Sequence, residues 1–183
     1  MKSLLNKLIY FLVERCIKKG RVFHITGSAD QSEDVYLVRY IVVKSKYLCI
    51  YIHRFLRSDT SDPHDHPWNF ITYIVSGGYQ EHFYDVNQPT KGKKKYLSYW
   101  TKKINTRLPG SIAYRRATDI HSVVVPKKYT LATLEEAPLT ACIMFSRKRH
   151  WGFWPLKDKG SKFIDWRNYL QINPYDPRVE GSE

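Results

Sequence analysis

The chain has 183 residues, which is enough for one well-buried core and too few for two ordinary domains. Its hydrophobic content of 43%, with 14 Tyr and 5 Trp, excludes a largely disordered chain. Its formal net charge of +13 favours an anionic partner, and nucleic acid, acidic lipid headgroups and small anionic molecules all fit that description.

The first segment, residues 1–20, predicts an amphipathic helix that ends near Gly20. Its apolar residues recur at helical spacing: Leu4, Leu5, Leu8, Ile9, Leu12 and Val13. The apolar run is too short to span a bilayer, and no small-residue cleavage site follows it. We expect the helix to pack over one side of the main domain or against a partner copy, with binding to a membrane surface as the alternative.

Short runs rich in branched and aromatic residues follow, and turn signals separate them. They include "VYLVRYIVV", "KYLCIYIHRFL", "KYLSYWTKKINTRL" and "YTLATLEEAPLTACIMFSR". The stretch "WNFITYIVSGGYQEHFYDV" predicts a hairpin of two strands around a Gly-Gly turn. Many short strands without helices between them predict an all-β sandwich or barrel over residues 21–160. A C-terminal extension, residues 161–183, is predicted to begin with a short helix from Phe163 to Leu170.

Three cysteines, Cys16, Cys49 and Cys142, form no CxxC pair. An odd number of cysteines, two of them in apolar runs, indicates buried reduced thiols rather than a disulfide framework. We therefore expect a reducing compartment and a cytoplasmic location.

His64, His66 and Gly77 form one motif, and Pro109, Gly110, Ala117 and His121 form a second. With these two motifs the sequence resembles the cupin family over roughly residues 40–146. The sequence looks most like small single-domain cupins that carry "HRF", "HDHPW" and "WGF" elements, a subgroup without a settled activity. The resemblance implies a jelly-roll β-barrel and a metal site formed by His64, His66 and His121.

The spacing of the histidines suits such a site. Residues i and i+2 of a strand share a face, so His64 and His66 can both point inward while Asp65 points outward. A third imidazole from an adjacent strand would complete one face of an octahedron and leave open positions, as catalytic metal sites do.

Many cupins place a Glu ligand four or five residues after the second His, but Phe70 and Ile71 stand there in this chain. A site of three neutral histidines is therefore expected, as in the thiol dioxygenases among cupins. Such a site leaves the charge of a divalent ion uncompensated, which favours an anionic substrate. Iron is the metal we expect, with zinc, manganese and nickel as alternatives.

Residues that would bind or activate the substrate follow from the same alternation. Neighbouring residues of a strand face opposite ways, so one residue of the pair Arg115 and Arg116 should face inward, and likewise one of the pair His53 and Arg54. All four are therefore candidate substrate-binding residues. An inward arginine could bind a carboxylate or phosphate through two hydrogen bonds. Tyr114 and Glu81 are candidate proton donors or acceptors. The predicted hairpin would put Glu81 roughly 26 Å along the strand from His66, too far for it to be a ligand.

The function predicted from these features is that of a metal-dependent enzyme acting on a small anionic molecule. Oxygenation is the favoured reaction, and isomerisation and hydrolysis are alternatives. The rival is a non-catalytic cupin that binds nucleic acid or a small ligand through its basic surface, which includes "KGKKKY" and "RKRHWGFW". In the favoured reading, Trp151 and Trp154 of "RKRHWGFW" seal the barrel mouth. Because cupin barrels often pair through an edge strand or terminal helix, a homodimer is also expected.

Overall fold

A computed structural model of the chain describes residues 3–26, 35–59, 62–87, 96–155 and 163–170. Two helices, α1 (Leu4–Lys18) and α2 (Trp166–Leu170), flank the strands, and a 3-10 helix covers Leu131–Glu136. The strands are β1 (Val22–Thr26), β2 (Val35–Lys44), β3 (Leu48–Phe55), β4 (Phe70–Ser76), β5 (Tyr79–Asn87), β6 (Tyr96–Arg107), β7 (Ile112–Arg115), β8 (Ile120–Val124), β9 (Leu139–Phe145), β10 (Gly152–Phe153) and β11 (Ile164–Asp165). The all-β prediction is confirmed. The "KGKKK" loop and residues 171–183 of the predicted C-terminal extension lie outside the described residues.

The strands form two principal antiparallel sheets with non-consecutive neighbours. The larger sheet has the order β1-β2-β3-β9-β4-β7, and the smaller has the order β6-β5-β8. Isolated bridges from His64 to His121 and from His64 to Phe153 extend the smaller sheet beyond β8. Because β9 lies between β3 and β4 while β5 and β8 pair in the opposite sheet, successive strands cross between the sheets as in a jelly roll.

The predicted hairpin around the Gly-Gly turn is wrong. β4 pairs with β9 and β7, whereas β5 pairs with β6 and β8, so Gly77 and Gly78 carry the chain from one sheet to the other. Both glycines have positive φ, +71° and +148°. A Cβ on Gly78 would lie 2.6 Å from the carbonyl oxygen of Arg107. Positive φ and close backbone approach both require glycine, but neither requirement specifies that the flanking strands pair with each other.

Helix α1 packs against the outer face of the larger sheet. The Ser3 hydroxyl caps its N-terminus by accepting a hydrogen bond from the backbone N–H of Asn6 at 3.2 Å. Its buried residues Ile9, Val13 and Cys16 join one apolar cluster with Val38 of β2 and other core residues. The helix thus has the packing role expected of it. Among the described residues, neither helix has the length and apolar character needed to cross a membrane.

The strand register defines the inner face of the larger sheet. Since Val38 of β2 packs in the cluster that contains α1, the alternate residue Arg39 faces the opposite way, into the space between the sheets. Arg39 pairs with His53 across β2 and β3, and His53 pairs with Thr140 of β9. In the adjacent row, Tyr51 pairs with Cys142. These polar residues therefore share the interior with the residues of the smaller sheet that point toward them.

Replacing Gly77 with Ala should destabilise the fold more than the same change at Gly110. Both positions have positive φ, which costs about 1 kcal/mol for a non-glycine residue. A Cβ at Gly77 would also lie 2.9 Å from the Cα of Pro138, whereas a Cβ at Gly110 would meet no described atom within 4 Å. Overpacking of this kind adds about 1–3 kcal/mol. Urea unfolding of G77A and G110A measures the difference, and equal losses would contradict the proposed close contact.

Candidate metal centre

Three imidazoles converge between the two sheets. His64 and His66 lie on the segment that precedes β4, and His121 lies on β8. One ligand nitrogen from each of the three side chains lies within 4.8 Å of the others. The Nε2 atoms of His66 and His121 are 2.8 Å apart.

The backbone brings these rings together. His64 N–H donates to the carbonyl oxygen of His121 at 3.0 Å, and His121 N–H donates to the carbonyl oxygen of His64 at 2.9 Å. Residues that exchange both hydrogen bonds lie directly opposite each other in an antiparallel pair. His66, two residues on from His64, accordingly lies beside the same partner strand.

The rings of His64 and His66 are held in the neutral form that binds metals. Burial, together with the charge of His121 and against that of Asp59, lowers the pKa of His64 to about 4. Burial also lowers the pKa of His66 well below its usual range, with contributions from His121, His64 and Arg39. A neutral imidazole keeps a lone pair on one nitrogen, which is the form in which histidine coordinates a metal.

The donor set fits a divalent transition metal. Two nitrogens that each lie about 2.0–2.1 Å from one ion at a right angle are about 3.0 Å apart, close to the separation of the His66 and His121 nitrogens. Nδ1 of His64 is buried and has no hydrogen-bond partner of normal geometry among the described residues. The polypeptide therefore leaves part of the binding capacity of this ring unused, as expected where a further group binds.

Glu81 of β5 orients His121. Nδ1 of His121 lies 2.8 Å from Oε1 of Glu81, so the carboxylate accepts the imidazole proton there and leaves the Nε2 lone pair directed at the other two histidines. Arg115 and Arg107 bind the same carboxylate, Arg115 through Nε at 2.6 Å and Arg107 through Nε at 2.9 Å. The predicted separation of roughly 26 Å between Glu81 and His66, reckoned along a strand, is therefore wrong, because β5 lies opposite β4 rather than beside it.

The charge state of Glu81 also bears on its predicted role as a proton donor or acceptor. Burial alone would raise the pKa of Glu81, but hydrogen bonds from His121 and Arg115 and the positive charge of Arg115 lower it well below the usual range. A carboxylate held in its ionised form by three donors has no proton to give. Its contacts are those of a residue that positions His121.

Of the four candidate substrate-binding residues, His53 and Arg115 face the interior. Arg115 lies over the ring of Phe83 at 4.7 Å, with its guanidinium bound to Glu81. Arg116 is exposed and pairs with Asp119, so it does not reach the site.

Arg54 and Tyr114 also lie away from the histidines. Arg54 faces the 3-10 helix and donates to the carbonyl oxygens of Glu135 at 2.8 Å and Ala137 at 2.9 Å. Tyr114 is 52% exposed, and its hydroxyl accepts from Nδ2 of Asn69 at 2.7 Å. The structure therefore does not bring Arg54, Arg116 and Tyr114 to the histidines, because strand alternation turns all three away from them.

Sequence reasoning did not predict that Arg39 and Cys142 lie beside His53 in the interior. Nε of Arg39 donates to Nε2 of His53 at 3.1 Å, and Nδ1 of His53 lies 3.5 Å from Sγ of Cys142. A lone arginine inside the apolar strand "VYLVRYIVV" was the available signal for Arg39. Its inward direction depends on which face α1 covers, and the strand pattern alone does not give that face.

The segment from Arg149 to Phe153 covers the histidines. The Trp151 ring lies 6.5 Å from the His66 ring in a stacked arrangement and 6.4 Å from the His64 ring. Asp65 holds this segment, since its carboxylate accepts from the backbone N–H of Gly152 at 2.9 Å and from Nη1 of Arg149 at 2.5 Å. For Trp151, this agrees with the expected seal of the barrel by aromatic residues of "RKRHWGFW".

Two antiparallel sheets in jelly-roll order thus enclose three converging histidines, one pair from the first motif and one from the second. The strands of the two sheets follow a jelly-roll order. The resemblance of the motifs to those of the small single-domain cupins stays a prediction.

No protein-family model matches the sequence, and no curated protein matches it. Among solved structures, the chain is similar to the iron(II) form of HppE, with 11% identity, a TM-score of 0.46, and coverage of 68% of this chain and 55% of HppE. KdgF from Halomonas sp. has 19% identity, a TM-score of 0.39, and coverage of 68% and 95%. An RmlC-like cupin from Shewanella frigidimarina has 14% identity, a TM-score of 0.42, and coverage of 70% and 85%. The chain spans about half the length of HppE.

Replacing Asp65 with Ala should loosen the cover over the histidines and destabilise the protein. The change leaves the buried Gly152 N–H without its acceptor and Arg149 without its counterion, at a cost of about 2–4 kcal/mol. Asp119→Ala is the matched control, because its pair with exposed Arg116 is worth less than about 1 kcal/mol. Chemical unfolding followed by tryptophan fluorescence measures both, and a D65A variant as stable as D119A would contradict the proposed clamp.

Proposed function

We propose that His64, His66 and His121 hold one divalent transition metal, and that the protein is a metal-dependent enzyme acting on a small anionic molecule. The observation that carries this proposal is the convergence of three imidazoles, of which His121 is buried and His64 and His66 are partly buried, with ligand nitrogens within 4.8 Å of one another. A bound ion would supply a Lewis acid with open coordination positions, and iron would add redox chemistry with dioxygen. Oxygenation is the reaction class that we favour, and isomerisation or hydrolysis with zinc, manganese or nickel is the alternative.

The charges around the histidines support an anionic substrate. The single negative charge of Glu81 is bound by two arginines, Arg107 and Arg115, so this cluster is already positive before a metal is added. Neutral imidazoles contribute no negative charge to offset the ion. An anion that enters the site would therefore be attracted by both groups.

Aromatic side chains limit the access of water to the rings. Phe70 lies 4.8 Å from the His66 ring, Phe83 lies 6.1 Å from the His121 ring, and Trp151 covers His64 and His66. Excluding water lowers the local dielectric constant, which strengthens the attraction between the site and a negatively charged group. The protein would thereby bind and orient a small anion beside the histidines.

Other predictions belong to this proposal as well. We propose a cytoplasmic enzyme whose barrel spans residues 21–160, with a helix over 1–20 and an extension over 161–183. Pairing of two copies through an edge strand or α1 is part of the same proposal.

Protein purified without a histidine tag should contain close to one equivalent of a transition metal, and His121→Ala should remove it. The substitution deletes one of three ligands and leaves Glu81 without its imidazole partner. His150→Ala is the matched control, because the His150 side chain is 71% exposed and lies outside the cluster. Elemental analysis measures the metal content, and quenching of Trp151 fluorescence by added cobalt(II) reports binding directly. A metal-free wild-type protein from metal-supplemented cells would contradict the proposal.

The same variants distinguish the proposed enzyme from a protein that binds nucleic acid. Binding to a polyanion that falls steeply with added salt and is unaffected by a chelator would favour the nucleic-acid-binding protein. Binding of small anions that is abolished by a chelator and by His121→Ala favours the enzyme.

Replacing Glu81 with Gln should weaken metal binding about 10–100-fold, the usual effect of losing a partner that orients a ligand. The amide keeps the shape of the side chain but no longer offers a carboxylate to Nδ1 of His121. The variant should also lose about 3 kcal/mol of stability, because Arg107 and Arg115 lose their shared counterion. Glu136→Gln, at an exposed pair with Lys127, is the control. Metal titrations that give the same Kd for E81Q and wild type would contradict the positioning role of Glu81.

A further inference from the structure

Arg39 differs from Arg115 and Arg54 in what its guanidinium binds. Arg115 is bound to the Glu81 carboxylate, and the buried Arg54 is bound to Glu135. Arg39 has no ion pair with a carboxylate in the part of the chain that the structure describes. A partly buried cation without a counterion of its own keeps a positive field that attracts an anion from solution.

His53 holds one side of this guanidinium and leaves the other side available. Nε of Arg39 donates to Nε2 of His53, so the single proton of the neutral imidazole must be on Nδ1, which faces Sγ of Cys142. Burial and the charge of Arg39 lower the pKa of His53 well below its usual range, so His53 stays neutral. The two Nη groups of Arg39 have no hydrogen bond to any described residue. These groups form the end of the fork that can bind two oxygens of one anion.

The location of Arg39 relates it to the histidine cluster. It lies on the inner face of β2 over Tyr51, which packs in one cluster with Phe70, and the Phe70 ring lies 4.8 Å from the His66 ring. The guanidinium lies over the Tyr51 ring, 4.8 Å from its centroid, which fixes its direction along the inner face. The Arg39 side chain is only partly buried, so a solute can reach it.

We propose that the two Nη groups of Arg39 bind the oxyanion of a small carboxylate or phosphate ligand whose other end reaches His64, His66 and His121. This inference rests on the proposed function and names the residue that would recognise the substrate's negative charge. His53 is a positioning residue for Arg39, and Tyr51 supports the guanidinium from one face. The ligand would thus be a short molecule with a negative charge at one end and a metal-binding donor at the other.

The test uses the full chain loaded with cobalt(II), with acetate and inorganic phosphate as probes. Broadening of the acetate methyl proton signal and of the phosphate phosphorus signal reports binding near the paramagnetic ion, and acetamide is the uncharged match for acetate. We expect acetate or phosphate, but not acetamide, to bind the wild-type protein. Arg39→Met should weaken that binding about tenfold or more, and Arg39→Lys should weaken it by a smaller factor, because lysine keeps the charge but loses the fork. Arg116→Met is the matched control, since it removes one exposed arginine and the same charge.

The outcomes separate this inference from the proposed function. Cobalt that binds normally, with anion affinities that are the same in R39M and R116M, would overturn the inference alone, as would acetamide binding as well as acetate. Wild-type protein that binds no cobalt would overturn the proposed function. In that case saturation transfer to the acetate methyl protons, and the line width of the phosphate phosphorus signal, still decide on the metal-free protein whether binding of either anion depends on Arg39. If R39M fails to fold, R39K carries the comparison, and an R39K affinity equal to that of R116M counts against the inference. A preference for acetate identifies a carboxylate ligand, and a preference for phosphate identifies a phosphate or phosphonate.

Discussion

The pair of backbone hydrogen bonds between His64 and His121 is the constraint on which the candidate site depends. It joins a short segment between β3 and β4 to β8, and so makes that segment an additional strand of the smaller sheet. Because directly opposed residues of an antiparallel pair have neighbouring side chains, this bridge places two imidazoles together without any contribution from a metal. The Asp65 carboxylate strengthens the same segment from its other side by holding Gly152 and Arg149. The arrangement is therefore formed by the polypeptide before an ion could bind, which favours binding because little ordering remains to be done.

Much of the fold could be predicted from the sequence, because its elements rest on local patterns. The helical spacing in residues 1–20 predicted α1, and branched and aromatic runs predicted the strands. The shared direction of His64 and His66 followed from the two-residue period of a strand, whereas Asp65, expected to point outward, is buried against Gly152 and Arg149. These features depend only on neighbours in the sequence, so sequence reasoning reaches them.

The pairing of strands depends on contacts between distant parts of the chain, and there the sequence was misleading. A Gly-Gly turn between two strands is equally compatible with a hairpin and with a crossing between sheets, because positive φ is what both require. The crossing places Glu81 beside His121 rather than far from the histidines. Without the pairing of β5 with β8, no local feature identified Glu81 as the partner of His121. Phe70 and Ile71 stand where the cupin pattern often has a Glu ligand. In this chain a carboxylate, that of Glu81, instead contacts the far side of a histidine ring.

The same dependence on tertiary contacts explains why the sequence gives the net charge of the chain but does not show which charges lie near the histidines. Composition gives a net charge of +13, yet the arginines of the described chain differ in what they face. Arg115 and Arg107 neutralise Glu81, Arg54 binds the 3-10 helix, and Arg116 remains at the surface with Asp119. Arg39 alone among these five has a neutral imidazole rather than a carboxylate as its hydrogen-bond partner. A paired arginine contributes mainly to stability, because its field is largely cancelled at short range, whereas one bound to a neutral group keeps its attraction for anions. The positive field in the interior therefore depends on which partner each arginine has and not on the total number of basic residues. This field is the physical reason to propose that a small anion binds near the histidines.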